Sequence, residues 1–455
     1  MKKGTKVGFV SLGCPKNLLD TEVMLGHLKA AGYELTPRAE EAQVLVVNTC
    51  GFIEAAKQES IDAILEMARH KKGGNCRRLI VAGCLAQRYA GQIASELPEV
   101  DAVIGLDHLD GIVEACRDGE RRIASLAADG SAAYLYDHLA PRIRTTPAHY
   151  AFVKISEGCD YPCTFCIIPK IRGAYRSRTP ESILAEAEAL ASQGARELVL
   201  VAQDTTRYGA ELGLRHGLAE LVRQLAGVTG IEWVRFLYAY PTTVDDEVLR
   251  AMVEVPGVCR YLDMPLQHAS DRMLKLMKRP GTRRSNEALI ERVRKAVPGL
   301  ALRSSFIVGF PGETEDDFAA LMSFCSEMEL DHVGVFTYSN EEDTEAWVEN
   351  EAICSTDKER RRNRLMAQQR KISVRKNRRW VGRRTKVLVD GPSEESDLLL
   401  SGRSEGQAPG VDGCVLINDG VALPGSFVEV QITEAHAYDL IGRIVTDAEP
   451  ISASA

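Results

Sequence analysis

Short apolar runs alternate with longer amphipathic stretches along most of the chain. Val7–Leu12, Val44–Val47, Leu79–Ala82 and Asp101–Ile104 are too short for helices and rich in β-branched residues, so they predict buried strands. Apolar positions at helical spacing fill the gaps, at about 17–31, 54–71 and 89–97. Continuous apolar strands separated by amphipathic helices predict a doubly wound parallel sheet with both faces covered. The alternation resumes with strands at Phe152–Ile155, Glu197–Val201, Val234–Tyr238, Tyr261–Met264, Leu302–Val308 and His332–Phe336. Helical stretches follow at about 181–193, 216–226, 244–254, 284–296 and 314–328, which predicts a partial (β/α)6 barrel. Residues 120–149 lack periodicity and carry Pro141 and Pro147, so they read as a linker. Past Lys386 the pattern becomes short strands (Lys386–Asp390, Asp397–Ser401, Gly413–Asn418, Ser426–Thr433) between turn residues, predicting a small antiparallel β-barrel. The expected division of this α/β multidomain chain is 1–119, linker 120–149, 150–380, 381–448 and a disordered tail, 449–455.

Composition narrows the class. The chain has 455 residues, 45% hydrophobic and 26% charged, the balance of a soluble globular protein. No apolar run approaches the ~20 residues that cross a bilayer, so no membrane partner is expected. The lysines near the start resemble a signal peptide, but Val7–Leu12 is too short for its apolar segment, and the chain reads as cytoplasmic. Twelve cysteines in such a chain point to ligands rather than disulfides.

Two sets of cysteines stand out. Cys159, Cys163 and Cys166 have C-x3-C-x2-C spacing just after a predicted strand, and the next cysteine is Cys259. Three thiolates without a fourth nearby fit a four-iron cluster with one iron left open to a small molecule. Cys14, Cys50 and Cys84 each lie just beyond the carboxyl end of a predicted strand, flanked by Gly13, Gly51 and Gly83. Ligands of doubly wound sheets bind there, and glycine permits sharp turns and close approach. The three thiols are therefore expected to converge on a second cluster. Cys76 and Cys116 lack this placement and read as structural or free thiols.

Polar and turn residues follow the barrel strands: Gln203-Asp204-Thr205, Tyr240-Pro241, Pro265-Leu266-Gln267-His268 and Gly309-Phe310-Pro311-Gly312. They suit a cofactor lying across the barrel mouth. Gln203 is either a cofactor contact or a strand-end cap. Arg303, a charge on an apolar strand, needs a carboxylate from a ligand or from the protein. His268 reads as a satisfied histidine. Lys170, Arg172, Arg176 and Arg178 form a basic run that is either solvated or turned toward an acidic substrate.

The cysteines at 14, 50 and 84, followed by Gly158-Cys159-x3-Cys163-Thr164-Phe165-Cys166-Ile167-Ile168-Pro169 and Arg172-Gly173, resemble the radical S-adenosylmethionine (SAM) methylthiotransferases across nearly the whole chain. The resemblance implies two 4Fe-4S clusters, with Cys159, Cys163 and Cys166 holding the SAM-cleaving one and Cys14, Cys50 and Cys84 the one that supports sulfur insertion. SAM contacts are expected from Phe165, Gln203, Gln267, Arg303 and Val308, with Ile307–Pro311 either against the adenine or a plain core strand. One SAM would yield the 5′-deoxyadenosyl radical and a second the methyl group, with an electron donor such as flavodoxin. The stretches Ser11–Asn17, Ser156–Cys163, Val201–Gly209 and Met264–Ala269 resemble the branch that modifies the β-carbon of an aspartate of small-subunit ribosomal protein S-twelve. The branch acting on modified adenosine in transfer RNA is the alternative, and a non-catalytic ribosome adaptor is a further rival that six cysteine ligands argue against.

Charge adds one more distinction. From Thr356 to Arg384 thirteen basic residues face two acids, a helix that is either a solvated connector or an RNA-facing one. From Thr385 to Ala448, where the resemblance extends to a TRAM domain, three basic residues face eleven acids. Nucleic-acid affinity rests largely on Lys and Arg. An acidic barrel suits a basic ribosomal protein better, unless the acids serve only solubility.

Overall fold

In the computed structural model the described residues are 4–117, 122–124, 134–350 and 352–445. Most of 118–133 and the tail expected to be disordered lie outside them. The N-terminal block runs β1 (Lys6–Ser11), α1 (Pro15–Ala30), β2 (Glu34–Thr36), β3 (Val44–Thr49), α2 (Glu54–Gly73), β4 (Arg78–Gly83), α3 (Cys84–Glu96), β5 (Ala102–Ile104), α4 (Ile112–Ala115) and β6 (Arg122–Ala124). Its strands form one parallel sheet in the order β2-β1-β3-β4-β5-β6. Every residue of β3 and β4 is buried, because alternate side chains feed different cores. Leu45, Val47, Leu79 and Val81 meet Ile64 of α2 and Ile93 of α3, whereas Val44, Val46, Ile80 and Ala82 meet Met24 and Leu28 of α1 and Ile112 of α4. The order reverses between β1 and β3, and ligand crevices open at such points. The three-residue edge strand β2 was not predicted, and β6 arises where only linker was expected.

The central block comprises β7 (Tyr150–Lys154), β8 (Ser156–Glu157), α5 (Ile168–Arg172), β9 (Arg176–Ser177), α6 (Pro180–Ser192), β10 (Glu197–Val201), α7 (Gly217–Ala226), β11 (Trp233–Phe236), α8 (Asp246–Glu254), β12 (Tyr261–Asp263), α9 (Asp271–Leu276), α10 (Arg283–Ala296), β13 (Ala301–Val308), α11 (Glu315–Met328), β14 (His332–Thr337) and α12 (Ser355–Asn377). Two parallel three-stranded sheets, β7-β10-β11 and β12-β13-β14, are joined by hydrogen bonds from Val234 N–H to Gly257 O (2.7 Å) and Ala239 N–H to Asp263 O (2.7 Å). The six strands thus run in sequence order as an open barrel. Val153, Leu198, Leu200, Val234, Phe236 and Leu302 pack outward against the helices. Phe152, Val199, Val201, Trp233 and Tyr261 point inward, where Leu19 of α1 and Leu388 and Ala408 of the C-terminal barrel meet them.

That C-terminal barrel closes as β15 (Arg384–Pro392), β16 (Leu400–Ser404), β17 (Val415–Asp419), β19 (Leu440–Ile444) and β18 (Phe427–Ala435). The last strand was not predicted. Pairing is antiparallel except between β17 and β19, which run parallel because β18 crosses between them in sequence. Some of its acids are inward-facing. Glu197 of β10 receives Arg235 (2.8 Å) and Arg403 of β16 (2.5 Å), and Arg403 also pairs with Asp390 (2.9 Å). Breaking one member of a buried pair costs about 3–5 kcal/mol. Arg403→Met is therefore expected to lower the unfolding free energy by about that much in a denaturant titration. Burial alone would raise the Glu197 and Asp390 carboxyls, but Arg403 with Arg235 on the first, and His149 with Arg403 on the second, hold both below their ordinary values. Their stabilisation is present above an unfolded value of about 4 and is lost as pH falls further.

The basic helix α12 is not a free connector. Leu365 and Ile372 are buried, Gln369 bonds Leu330 O (3.0 Å), and Arg361 and Lys376 pair with Glu313 (2.7 Å) and Asp331 (2.6 Å). One face is docked on the barrel wall, and the other is solvent-exposed.

Candidate functional site

The turns after β1, β3 and β4 touch one another. Gly13 has φ +90°, and a Cβ there would lie 2.9 Å from Cys50 Cβ and 3.2 Å from its sulfur. A Cβ on Gly51 would meet the backbone of Cys84 and Leu85 at 2.8–2.9 Å. Glycine is thus required where the cysteine-bearing turns pack on each other. Asn17, in the first turn of α1, ties two of them together by donating to Leu12 O (2.7 Å) and Thr49 O (3.2 Å). Cys14 precedes α1 and Cys84 opens α3. Burial pushes the Cys84 thiol up to about 12 and raises Cys50, while at Cys14 the charges of Lys16 and Arg172 outweigh burial and lower it.

The second set lies on the loop between β8 and β9, which pair as a short antiparallel ribbon. Gly158 has φ +84°, and a Cβ there would collide with Ala174 O. Cys159 N–H donates to Gly173 O (3.1 Å) and Cys166 N–H to Cys163 O (3.1 Å). Thr164 is pinned through its hydroxyl to Leu276 O (2.9 Å), and Phe165 and Ile307 both pack against the cluster of Met273, Met277, Phe310 and Tyr338. Arg279 lies 3.7 Å from the Cys163 sulfur and 4.2 Å over the Tyr240 ring, which stacks on Tyr161 at 3.6 Å. Burial pushes Cys159 up to about 11 and Cys166 to about 12. Gly158→Ala is expected to disorder this loop alone. Iron held through Cys159, Cys163 and Cys166 in reconstituted protein is then expected to be lost, while the global unfolding transition moves by only about 1–3 kcal/mol.

All six thiols are free. Among the described residues no group of three His, Cys, Asp or Glu side chains is gathered tightly enough for a single metal ion. Three thiolates that each take a different iron of a four-iron cluster need not meet at one point, so the donor type of both sets is compatible with such clusters. The buried amide oxygen of Gln203 has no hydrogen-bond partner, and an ammonium donor such as that of SAM would satisfy it.

Between the two sets runs a buried network of charges. Arg172 is 2% exposed and donates to Glu157 (2.9 Å), Asp20 of α1 (3.1 Å) and the Cys84 sulfur (3.3 Å). Lys154 reaches Asp20 and Glu157, each at 2.6 Å, and Glu157 accepts from Gln203 (2.7 Å). Lys16 donates to Ala202 O (3.3 Å) and sits 3.4 Å over the Tyr238 ring. On another side of the interface Glu341 holds Arg88 (2.7 Å) and Lys57 (3.0 Å). The sulfur of Cys84 and the segment entering the Cys159 loop are therefore bridged by a single guanidinium.

This corrects the reading of the basic run: Arg172 and Arg178 are buried in ion pairs, Arg178 with Glu186 (2.5 Å), and face no substrate. Asp20, Lys154 and Glu157 escaped sequence reasoning, although a lysine inside the apolar run Phe152–Ile155 signalled a buried partner. Arg303 pairs with Asp263 (2.8 Å) and lies 3.5 Å from Asp412 of the C-terminal barrel. Gln267 has φ +74° and backbone hydrogen bonds to Ser305 and Ile307 on β13. Val308 ends β13, fully buried. His268 is satisfied by Glu313 (3.1 Å) and Ser270 N–H (2.9 Å), as expected. Cys76 and Cys116 are buried free thiols.

Three family profiles match: Uncharacterized protein family UPF0004 over residues 6–105, the Radical SAM superfamily over 153–325 and the TRAM domain over 381–445. A Solibacter usitatus protein called ribosomal protein uS12 methylthiotransferase RimO is 50% identical, covering 98% of this chain and 96% of its own. A Koribacter versatilis protein of the same name is 46% identical, covering 97% of each. Among solved structures, the radical S-adenosylmethionine methyltransferase TsrM of Kitasatospora setae, with cobalamin and a 4Fe-4S cluster bound, aligns at a TM-score of 0.52 and 15% identity. It covers 76% of this chain and 74% of its own, a likeness of fold. With half its residues shared with a full-length relative and with the matched segments in the same order, the chain belongs to the RimO family of radical SAM methylthiotransferases.

Proposed function

We propose that this enzyme replaces a hydrogen on the β-carbon of an aspartate of ribosomal protein uS12 with a methylthio group. It would use one SAM as radical source and another as methyl donor. The observation that carries the reading is the contact of Arg172 with both the Cys84 sulfur and Glu157, which ties the N-terminal cysteine set to the strand that leads into the Cys159 loop. Cys159, Cys163 and Cys166 would hold one 4Fe-4S cluster, and Cys14, Cys50 and Cys84 the second. The chemistry these groups supply when bound is hydrogen abstraction from an unactivated C–H bond at the first and sulfur insertion at the second.

The protein's part is positioning. Glu157 orients Gln203, whose unpaired oxygen would accept from a cofactor ammonium, and Phe165 and Ile307 offer an apolar wall. Val308 shapes the end of β13, and Gln267, held on β13 by its backbone, would contact the cofactor beside it. Arg303 is neutralised by Asp263 and Asp412, which favours a structural role for it over a cofactor contact. The acids left on the barrel surface, among them Glu394, Glu395, Asp397 and Asp419, would attract a basic protein. An electron donor such as flavodoxin and a cytoplasmic setting complete the proposal; among the described residues no helix is long and apolar enough to cross a membrane.

The test is an anaerobic reaction of reconstituted enzyme, SAM and a reductant with uS12 and transfer RNA offered separately. A mass gain of CH2S on the uS12 aspartate is expected. The same gain on transfer RNA alone would place the enzyme in the other branch.

A further inference from the structure

The docked helix α12 ends in an uncompensated cationic turn. Arg378-Arg379-Trp380-Val381-Gly382-Arg383-Arg384 links it to β15, with Trp380 40% and Val381 45% exposed. Arg378, Arg379, Arg383 and Arg384 are all exposed, as are Arg370 and Lys371 on the preceding turns. The ion pairs of α12 are made by other residues, including Arg360, Arg361, Arg364, Arg375 and Lys376. Among the described residues none of those six side chains has an acidic partner. General basicity does not account for the patch, since the chain carries a net charge of −8.

Its chemistry matches nucleic acid more closely than protein. Guanidinium groups on either side of an exposed indole provide phosphate contacts flanking a stacking plane. Met366, Val374 and Tyr438 line an apolar groove beside Arg370 and Lys371, along the same helix face. The patch also lies far from the chemistry. Lys358, near the start of α12, bonds Tyr338 O (3.1 Å) beyond the carboxyl end of β14, whereas Lys376 pairs with Asp331, just before that strand begins. A helix of 23 residues spans about 35 Å, so the turn sits at the base of the barrel, away from both cysteine sets.

We propose that this turn binds single-stranded or looped ribosomal RNA and anchors the enzyme so that uS12 is modified within the small ribosomal subunit rather than as the free protein. The proposal rests on the uS12 reading above. Contacts from four to six cations would make affinity for single-stranded RNA fall roughly 50- to 300-fold between about 50 and 200 mM salt. Loss of the indole would weaken binding roughly 5-fold or more.

The experiment uses the full-length holoenzyme and two variants, Arg378→Gln/Arg379→Gln/Arg383→Gln/Arg384→Gln and Trp380→Ala, each checked for unchanged iron content and thermal unfolding. Affinity for small-subunit ribosomal RNA is read by fluorescence anisotropy, and methylthiolation is followed on isolated small subunits and on free uS12. Wild type should bind the RNA with the steep salt dependence and prefer small subunits. The quadruple variant should lose at least about 10-fold in both, as expected when several phosphate contacts go, with its rate on free uS12 unchanged. Equal RNA affinity in wild type and variant would overturn the proposal, as would an equal loss of rate on both substrates. A wild-type enzyme that binds transfer RNA as tightly and shows no preference for subunits would overturn it too. If wild type modifies uS12 in neither form, the functional reading fails, while the anisotropy still reports on the surface.

Discussion

Arg172→Met is expected to abolish methylthiolation and to lower the unfolding free energy by about 3–5 kcal/mol, because it leaves two buried carboxylates with a single cation between them. Asp20 and Glu157 would share Lys154 alone, since the guanidinium now serves both carboxylates and the Cys84 sulfur. A purely structural defect would stop there. The contact to sulfur predicts more: hydrogen bonds and positive charge at a ligand sulfur favour the reduced state of an iron–sulfur cluster. In a full-length Cys159→Ala/Cys163→Ala/Cys166→Ala background, where only the proposed N-terminal cluster would be held, Arg172→Met should shift the midpoint potential of that cluster downward. Arg172→Lys should give a smaller shift, because one ammonium cannot span three partners in the same geometry. An unchanged potential with iron retained would mean that the Cys84 contact has no electronic consequence.

The second large effect separates the two cysteine sets. Cys163→Ala should end SAM cleavage, with 5′-deoxyadenosine falling to background. Cys50→Ala should leave SAM cleavage running while no methylthio product forms. If each set holds one cluster, as proposed, each variant should lose about half of the bound iron. Cys50 sits in the crevice between β1 and β3 and shares no hydrogen bond with the Cys159 loop, so its loss should not spread there. Equal loss of SAM cleavage in both variants would show that the sets do not act separately.

What could be read from the chain alone follows from how local the signal is. β3 and β4 are legible because both their faces are buried, which leaves an unbroken apolar run. The edge strands β2 and β6 are not, since three residues with one open side carry no such pattern. That the turns bearing Cys14, Cys50 and Cys84 lie side by side was legible because each ends a strand of one parallel sheet, and Gly13 and Gly51 stand where those turns touch. The Asp20–Lys154–Glu157–Arg172 network was not, because its members come from opposite ends of 152 residues of chain and meet only when α1 docks on the barrel. The same reason explains the acids of the C-terminal barrel. Asp390 and Asp412 counted as surface charge in the sequence, but the fold directs them to Arg403 and Arg303. The exposed turn around Trp380 is the reverse case. Its composition was visible, but only the docking of α12 shows which of its cations remain without partners.

The most direct measurement uses uS12 carrying deuterium at the β-carbon of its target aspartate, incubated anaerobically with holoenzyme, SAM and reductant. The account predicts deuterium in 5′-deoxyadenosine and a matching amount of uS12 heavier by CH2S less the lost label. Deuterium retained in uS12 while 5′-deoxyadenosine accumulates unlabelled would contradict it.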